Sequence, residues 1–211
     1  MSDVVAAFDV DRTLTTRDTF APFLREAGGA FRFAVASAAV APRVVLVLIG
    51  RANRDDVKRR MVRSLLAGRP LSEIERFGVA HARRIEQRWL RTDTAARLRW
   101  HQREGHRTVL VSASLRAYLV PLGAALGVDG VLCTDLAVDG DRVTGELAGE
   151  NCRGPEKAAR LLAWAGGRKP AVLWAYGDSA GDDELLALAD RAVRVRRSRY
   201  LAAVPGDGKA G

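Results

Sequence analysis

Asp9, Asp11 and Thr13 stand at alternate positions directly after an apolar run that begins at Val4. A buried strand accommodates a carboxylate only at a cost of several kcal/mol unless a cation or hydrogen bonds compensate it. Two carboxylates one residue apart at the end of a first strand therefore mark a site. Farther along, Val111-Ser112-Ala113-Ser114, Lys157 and Gly177-Asp178-Ser179-Ala180-Gly181-Asp182-Asp183 add hydroxyls, an ammonium and further carboxylates. Each falls at the carboxyl end of an expected strand or the start of an expected helix. Strand ends of one sense share an edge of a parallel sheet, and ligands bind there. Asp9, Asp11, Asp178 and Asp182 cannot crowd that edge without a cation, and Mg2+ with oxygen ligands is the obvious one. With Lys157 and the Ser112 hydroxyl added, the group becomes a site for a phosphoryl oxyanion.

The elements that must position these residues are readable from hydrophobic period. A strand is expected at about 4 to 10. A helical stretch follows from about 18 to 90, with breaks near Gly28-Gly29, Pro42, Gly50 and Gly68-Arg69-Pro70. Helices at 93–104, 115–126, 155–165 and 182–189 then alternate with strands at 108–111, 131–133, 171–176 and 192–195. A hairpin is expected at 136–147 around Asp139-Gly140-Asp141. Alternation of this kind implies an α/β fold with a doubly wound parallel sheet. The expected layout is a core of residues 1–16 and 91–200, an inserted helical cap at 17–90, and a flexible tail at 201–211.

Composition narrows the class. The 211 residues are 48% hydrophobic and 28% charged, enough for one full core. Cys133 and Cys152 support no disulfide framework, and the N-terminus lacks a basic region before an apolar one. Both point to the cytoplasm. Net charge is +9, and lysine occurs only at Lys58, Lys157, Lys169 and Lys209. Arginine spread along the whole chain reads as a compositional bias before it reads as a nucleic-acid surface, and no nucleic-acid partner is expected. The greasiest run, Phe33 to Ile49, is interrupted by Pro42 and Arg43. It reads as a buried or interfacial helix pair, not a transmembrane segment, with peripheral membrane contact as the other option.

Taken together and in order, Asp-x-Asp-x-Thr at 9–13, the Ser112 motif, Lys157 and Gly-Asp-Ser-x-x-Asp at 177–182 resemble the haloacid dehalogenase superfamily. The likeness is to its branch of small phosphatases similar to phosphoserine phosphatase. The resemblance covers about residues 4 to 195 and implies a Rossmann-like core under a closing cap. It implies that Asp9 is a nucleophile forming an aspartyl phosphate, and that Asp11 is the general acid and base. Mg2+ would be held by Asp9, Asp178, the Asp11 carbonyl and, through water or Lys157, Asp182. Ser112 and Lys157 would grip the phosphoryl oxygens, with Thr13 steadying the first loop beside them. Asp11 favours phosphate esters over carbon–halogen bonds, so the substrate is expected to be a small organic phosphate, or a lipid or prenyl phosphate at a membrane surface. Transfer to another alcohol on the same scaffold is the remaining option. Arg12 departs from the small residue usual in this branch, and Asp18 stands near the usual substrate-reading glutamate. Both are candidates for substrate specificity. His81, His101 and His106 read as surface or packing residues, and Asp183 as a residue that favours a helix start.

Overall fold

A computed structural model describes residues 3–202 of the chain. The order is β1 (Val4–Phe8), α1 (Phe20–Gly28), α2 (Ala30–Leu48), α3 (Arg54–Leu66), α4 (Leu71–Arg88), α5 (Thr92–Arg103), β2 (Arg107–Leu115) and α6 (Arg116–Leu126). It continues with β3 (Gly130–Thr134), β4 (Leu136–Asp139), β5 (Arg142–Leu147), α7 (Pro155–Trp164), β6 (Val172–Gly177), α8 (Asp183–Leu188) and β7 (Arg191–Arg194). Five strands form one parallel sheet in the order β3-β2-β1-β6-β7. The chain winds outward from β1 through β2 and β3, then returns to β1's other side with β6. The switch point, where a parallel sheet opens a ligand crevice, is thus beside the carboxyl end of β1.

β1 is short and buried on both faces. Ala6 and Phe8 pack toward α5 and α6 with Leu98, Leu119 and Leu122. Val5 and Ala7 pack toward α7 and α8 with Leu161, Leu185 and Leu186. A strand flanked by helices on both faces has no polar alternation, which is why residues 4 to 8 read as a continuous apolar run.

The cap leaves and re-enters the core through a paired neck. Thr15 bridges Leu90, Thr16 N–H donates to Trp89 O (2.7 Å), and Arg91 N–H donates to Leu14 O (2.9 Å). α4 is pressed against α6: a Cβ on Gly78 would lie 1.9 Å from the Ala117 carbonyl oxygen. The β4–β5 hairpin also joins this region, since Gly68 N–H donates to Val143 O (2.7 Å) and Leu71 N–H to Asp141 O (2.8 Å). The hairpin within the segment 91–200 is thereby bonded to the turn between α3 and α4.

Three expectations are corrected. β1 ends at Phe8, so Asp9 and Asp11 occupy a loop and not the strand itself. Pro42 does not break the helical stretch: α2 runs unbroken through it from Ala30 to Leu48. Within α2 just Ala36 and Val40 are buried, so the run is one helix with a bare outer face and not a buried pair. At the other end, Leu201 N–H donates to Asp93 Oδ2 (2.9 Å) and Arg97 to the Ala202 carbonyl (2.9 Å). The remainder of the expected flexible tail lies outside the described residues.

Candidate active site

The loop Val10–Leu14 turns tightly because Thr15 gathers it. Thr15 N–H donates to Val10 O (2.9 Å), and the Thr15 hydroxyl lies within reach of the Val10 and Arg17 carbonyls while accepting from Arg12 N–H (3.2 Å). Arg12 takes φ +63°, and among the described residues it is the one non-glycine with positive φ. Its left-handed backbone turns Asp11 and Asp9 toward the same crevice, a conformation that costs on the order of 1 kcal/mol outside glycine.

A cavity of about 140 Å³ opens there, lined by Asp9, Asp11, Arg12, Asp18, Arg54, Ser112, Arg153, Lys157, Asp178, Ser179 and Asp182, among others. Lys157, buried on the first turns of α7, donates to Asp9 Oδ1 and to Asp182 Oδ1, each at 2.6 Å. Gly154 makes this reach possible. Its left-handed φ of +60° starts α7, and its N–H donates to Gly181 O (2.9 Å), binding the Lys157 helix to the Asp182 turn. Asp182 Oδ2 accepts from Asp178 N–H (3.2 Å), Ser179 N–H (3.0 Å) and the Ser179 hydroxyl (3.0 Å). Gly177 permits this turn, since a Cβ there would sit 2.5 Å from the Asp182 Cβ.

The two lysine-bound carboxylates are not equivalent. Asp182, with Lys157 and its ring of donors, is held below the usual carboxylate range, whereas burial pushes Asp9 up to about 7 despite Lys157. Asp178, half-buried beside Asp182, is raised as well, by burial and then by that neighbouring charge. One ammonium thus answers to three carboxylates. Oxygens of Asp9, Asp178 and Asp182 lie within 4.8 Å of one another. A hard divalent cation with oxygen ligands fits this donor set and would relieve the buried excess charge. Asp11's side chain stands outside the cluster.

Asp11 is held by different partners. Its Oδ1 accepts from Thr19 N–H and the Thr19 hydroxyl, both at 2.6 Å, and its Oδ2 accepts from the Ser114 hydroxyl at 2.5 Å. Because the Thr19 hydroxyl donates to Asp11, the Tyr118 hydroxyl, 3.1 Å away, donates to Thr19. His81 Nε2 supports the same turn by donating to Thr19 O (2.9 Å). Even with three donors the Asp11 carboxyl is raised, first by burial and then by the charge of Asp18.

Of the residues expected from sequence, Asp9, Asp11, Arg12, Asp18, Ser112, Lys157, Asp178 and Asp182 line the cavity. Thr13 does not line it. Its backbone carbonyl accepts from the Thr94 hydroxyl (2.9 Å), while its own hydroxyl is buried without a partner, and Thr15 does the loop-gathering expected of it. Asp18 Oδ1 also accepts from Ala21 N–H (3.0 Å) in the first turn of α1. Asp183 pairs with Arg194 at the surface. Sequence reasoning missed Thr19, Tyr118, His81 and Lys58. Lys58 spans from α3 to the Ala113 carbonyl and the Asn151 side chain, latching the cap to the Ser112 turn. Its position on the polar side of a helix gave no signal of this reach.

Residues 6–187 match the family described as haloacid dehalogenase-like hydrolase. The chain belongs to that family. It is 36% identical over 189 residues to Protein CicA of Caulobacter vibrioides, covering 89% of this chain and 83% of the relative. A crystal structure of a protein with unknown function from Bordetella pertussis Tohama I superposes with a TM-score of 0.77 at 26% identity, covering 90% of this chain and 89% of that one. A substrate-bound phosphoserine phosphatase shares the fold with a TM-score of 0.58 at 21% identity, covering 88% and 82%.

Proposed function

We propose that the protein is a phosphomonoester hydrolase with Asp9 as nucleophile and Asp11 as general acid and base. The observation that carries the reading is the split between neighbouring carboxylates. Asp9 belongs to the lysine-bound acidic cluster, whereas Asp11 is held apart by Thr19 and Ser114 with a raised carboxyl. Adjacent acids with different surroundings are how one site divides attack from proton transfer.

The Asp9 carboxylate attacks phosphorus, forming an acyl phosphate as the bond to the leaving oxygen breaks. Asp11 gives that oxygen its proton, releasing a neutral alcohol. Asp11, now a carboxylate, takes a proton from water as the water attacks the acyl phosphate. Inorganic phosphate leaves and both carboxyls return to their starting states. In this reading Lys157 neutralises the phosphoryl oxygens and Ser112 donates to them. Mg2+, held by Asp9, Asp178 and Asp182, would add positive charge opposite those oxygens.

The test is hydrolysis of an aryl phosphate by the wild type and by Asp9→Asn, with Mg2+ and with EDTA. Release of aryl alcohol should require the metal and fall at least about a thousandfold in Asp9→Asn. Equal rates in the two proteins would end the covalent mechanism.

A further inference from the structure

α2 is apolar on two opposite sides. Phe33, Ala36, Val40 and Val47 lie at three-, four- and seven-residue intervals and turn toward the globule, where Ala36 and Val40 are buried. Opposite them, Phe31 is 82% exposed, Val35 56%, Val45 57% and Ile49 58%, with Leu48 at 75% beside them. A helix that is hydrophobic all round needs cover on both sides. Among the described residues α2 is the one helix long and apolar enough to cross a membrane. Crossing is ruled out by its neighbours, because α3 returns alongside α2 and Arg32 donates to the Ser64 carbonyl (3.0 Å). Both ends of α2 lead back to the same globule, so its outer face lies along whatever covers it.

Charge decides what that is. From Ala27 to Arg54 the chain carries no aspartate or glutamate, and its charged residues are Arg32, Arg43, Arg51 and Arg54. A second copy would bring the same arginines against these and repel them. An exposed apolar face on a segment whose only charges are arginine fits a bilayer with anionic headgroups. The face also adjoins the site. Ile49 precedes Arg54 by five residues, which span at most about 18 Å, and Arg54 lines the catalytic cavity.

We propose that α2 seats the cap on an anionic lipid surface and that the site acts on phosphomonoesters carried in that bilayer. The docking stands on α2 alone; the substrate class rests on the phosphatase reading above. Vesicle flotation tests the docking without catalysis. Wild type should float with vesicles of equal parts phosphatidylcholine and phosphatidylglycerol, and about tenfold less with phosphatidylcholine alone or in high salt. The double variant Val45→Glu/Leu48→Glu, altered only at exposed positions, should float about tenfold less with the mixed vesicles. It should release phosphate from phosphatidic acid in those vesicles about tenfold more slowly while hydrolysing a soluble aryl phosphate at the wild-type rate. Absence of flotation, or equal flotation of the variant, overturns the docking. So does a wild-type dimer that the variant turns into a monomer without any flotation. Flotation with equal lipid hydrolysis by both proteins overturns the substrate class. Flotation with neither substrate hydrolysed overturns the phosphatase reading and leaves the docking intact.

Discussion

Lys157 Nζ lies 2.6 Å from Asp9 Oδ1, a contact between residues 148 positions apart that joins α7 to the end of β1. The same ammonium also holds Asp182 at 2.6 Å, and all three side chains are buried. Lys157→Met would leave two buried carboxylates without their cation. Removing one partner of a buried ion pair costs about 3–5 kcal/mol. Urea unfolding should register a loss of that order without divalent cation, and phosphatase activity should vanish. Full stability in the variant would mean that the carboxylates were never charged together.

Burial raises Asp9 to about 7, which ties metal binding to pH. A carboxyl whose folded value is raised holds its proton in the native state longer than in the unfolded chain. Its effect on stability is therefore absent below about pH 4, grows unfavourable as pH rises from about 4 to about 7, and is fully present above that. A divalent cation that keeps the native carboxylate ionised should cancel this loss. The gain in Tm on adding Mg2+ should be larger at about pH 8 than at about pH 5, as scanning calorimetry would record. Equal gains at both values would dissociate the ion from Asp9.

Ser114 and Thr19 stabilise the charged form of Asp11, and burial opposes them. Taking the Ser114 hydroxyl away removes a donor to the carboxylate, so Ser114→Ala should raise the Asp11 pKa further. The general acid would then keep its proton to higher pH, and the alkaline limb of kcat/KM should move upward. Asp11→Asn should lower kcat by about a hundred- to ten-thousandfold with alkyl phosphates, and by less with an aryl phosphate whose leaving group needs little help. A pH profile unmoved by Ser114→Ala would place the titration on another group.

The motif aspartates, Ser112 and Lys157 were legible because each stands where a short apolar strand gives way to polar residues or, for Lys157, where a helix begins after Gly154-Pro155. That transition depends on local sequence alone. The doubly wound parallel sheet was legible too, since alternating strands and helices admit few topologies. Pro42 misled because a proline in sequence reads as a break, whereas the packing of α2 along α3 and α1, which local sequence does not show, can hold a helix through one. Thr13 misled because Thr15, two positions on, has the geometry to bind the loop carbonyls. Lys58, Tyr118 and His81 act through contacts 55 to 99 residues distant along the chain, and nothing local marks such contacts, while Thr19 reaches Asp11 across an irregular loop with no periodic pattern to read. The bare face of α2 was hidden for the same reason: hydropathy reports a need for cover, not whether the fold supplies it.

The closeness of α4 and α6 yields a stability prediction. A methyl group at Gly78 would meet the Ala117 carbonyl at 1.9 Å, with backbone on both sides and no side chain able to yield. Gly78→Ala must push the helices apart, disturbing Tyr118 one residue on and the Thr19 hydroxyl it supports. The expected cost is about 1–3 kcal/mol in urea unfolding, where an alanine in an exposed helix would stabilise by up to about 1 kcal/mol. An unchanged or raised midpoint would show that α4 is not seated on α6 in solution.

Arg12, Arg54 and Arg153 give the cavity positive charge beyond what Lys157 brings to the phosphoryl group. Arg153 leans over Gly181, where a Cβ would lie 3.0 Å from its Nε, so its guanidinium is held near the Asp182 turn. Arg54 is exposed at the start of α3, free of the catalytic cluster and able to meet a ligand from the cap side. Guanidinium groups bind carboxylates and phosphates through paired donors. A substrate with a second anion should therefore bind better than one with a single phosphate. Arg54→Ala should raise KM about tenfold for a phosphomonoester that also carries a carboxylate or phosphodiester, since a charge-assisted hydrogen bond is worth about 1.5–3 kcal/mol. Hydrolysis of a plain aryl phosphate should stay within about twofold of wild type, as expected of a contact that binds without touching the reacting atoms. A parallel rise in KM for both substrates would instead make Arg54 a general attractor of phosphate.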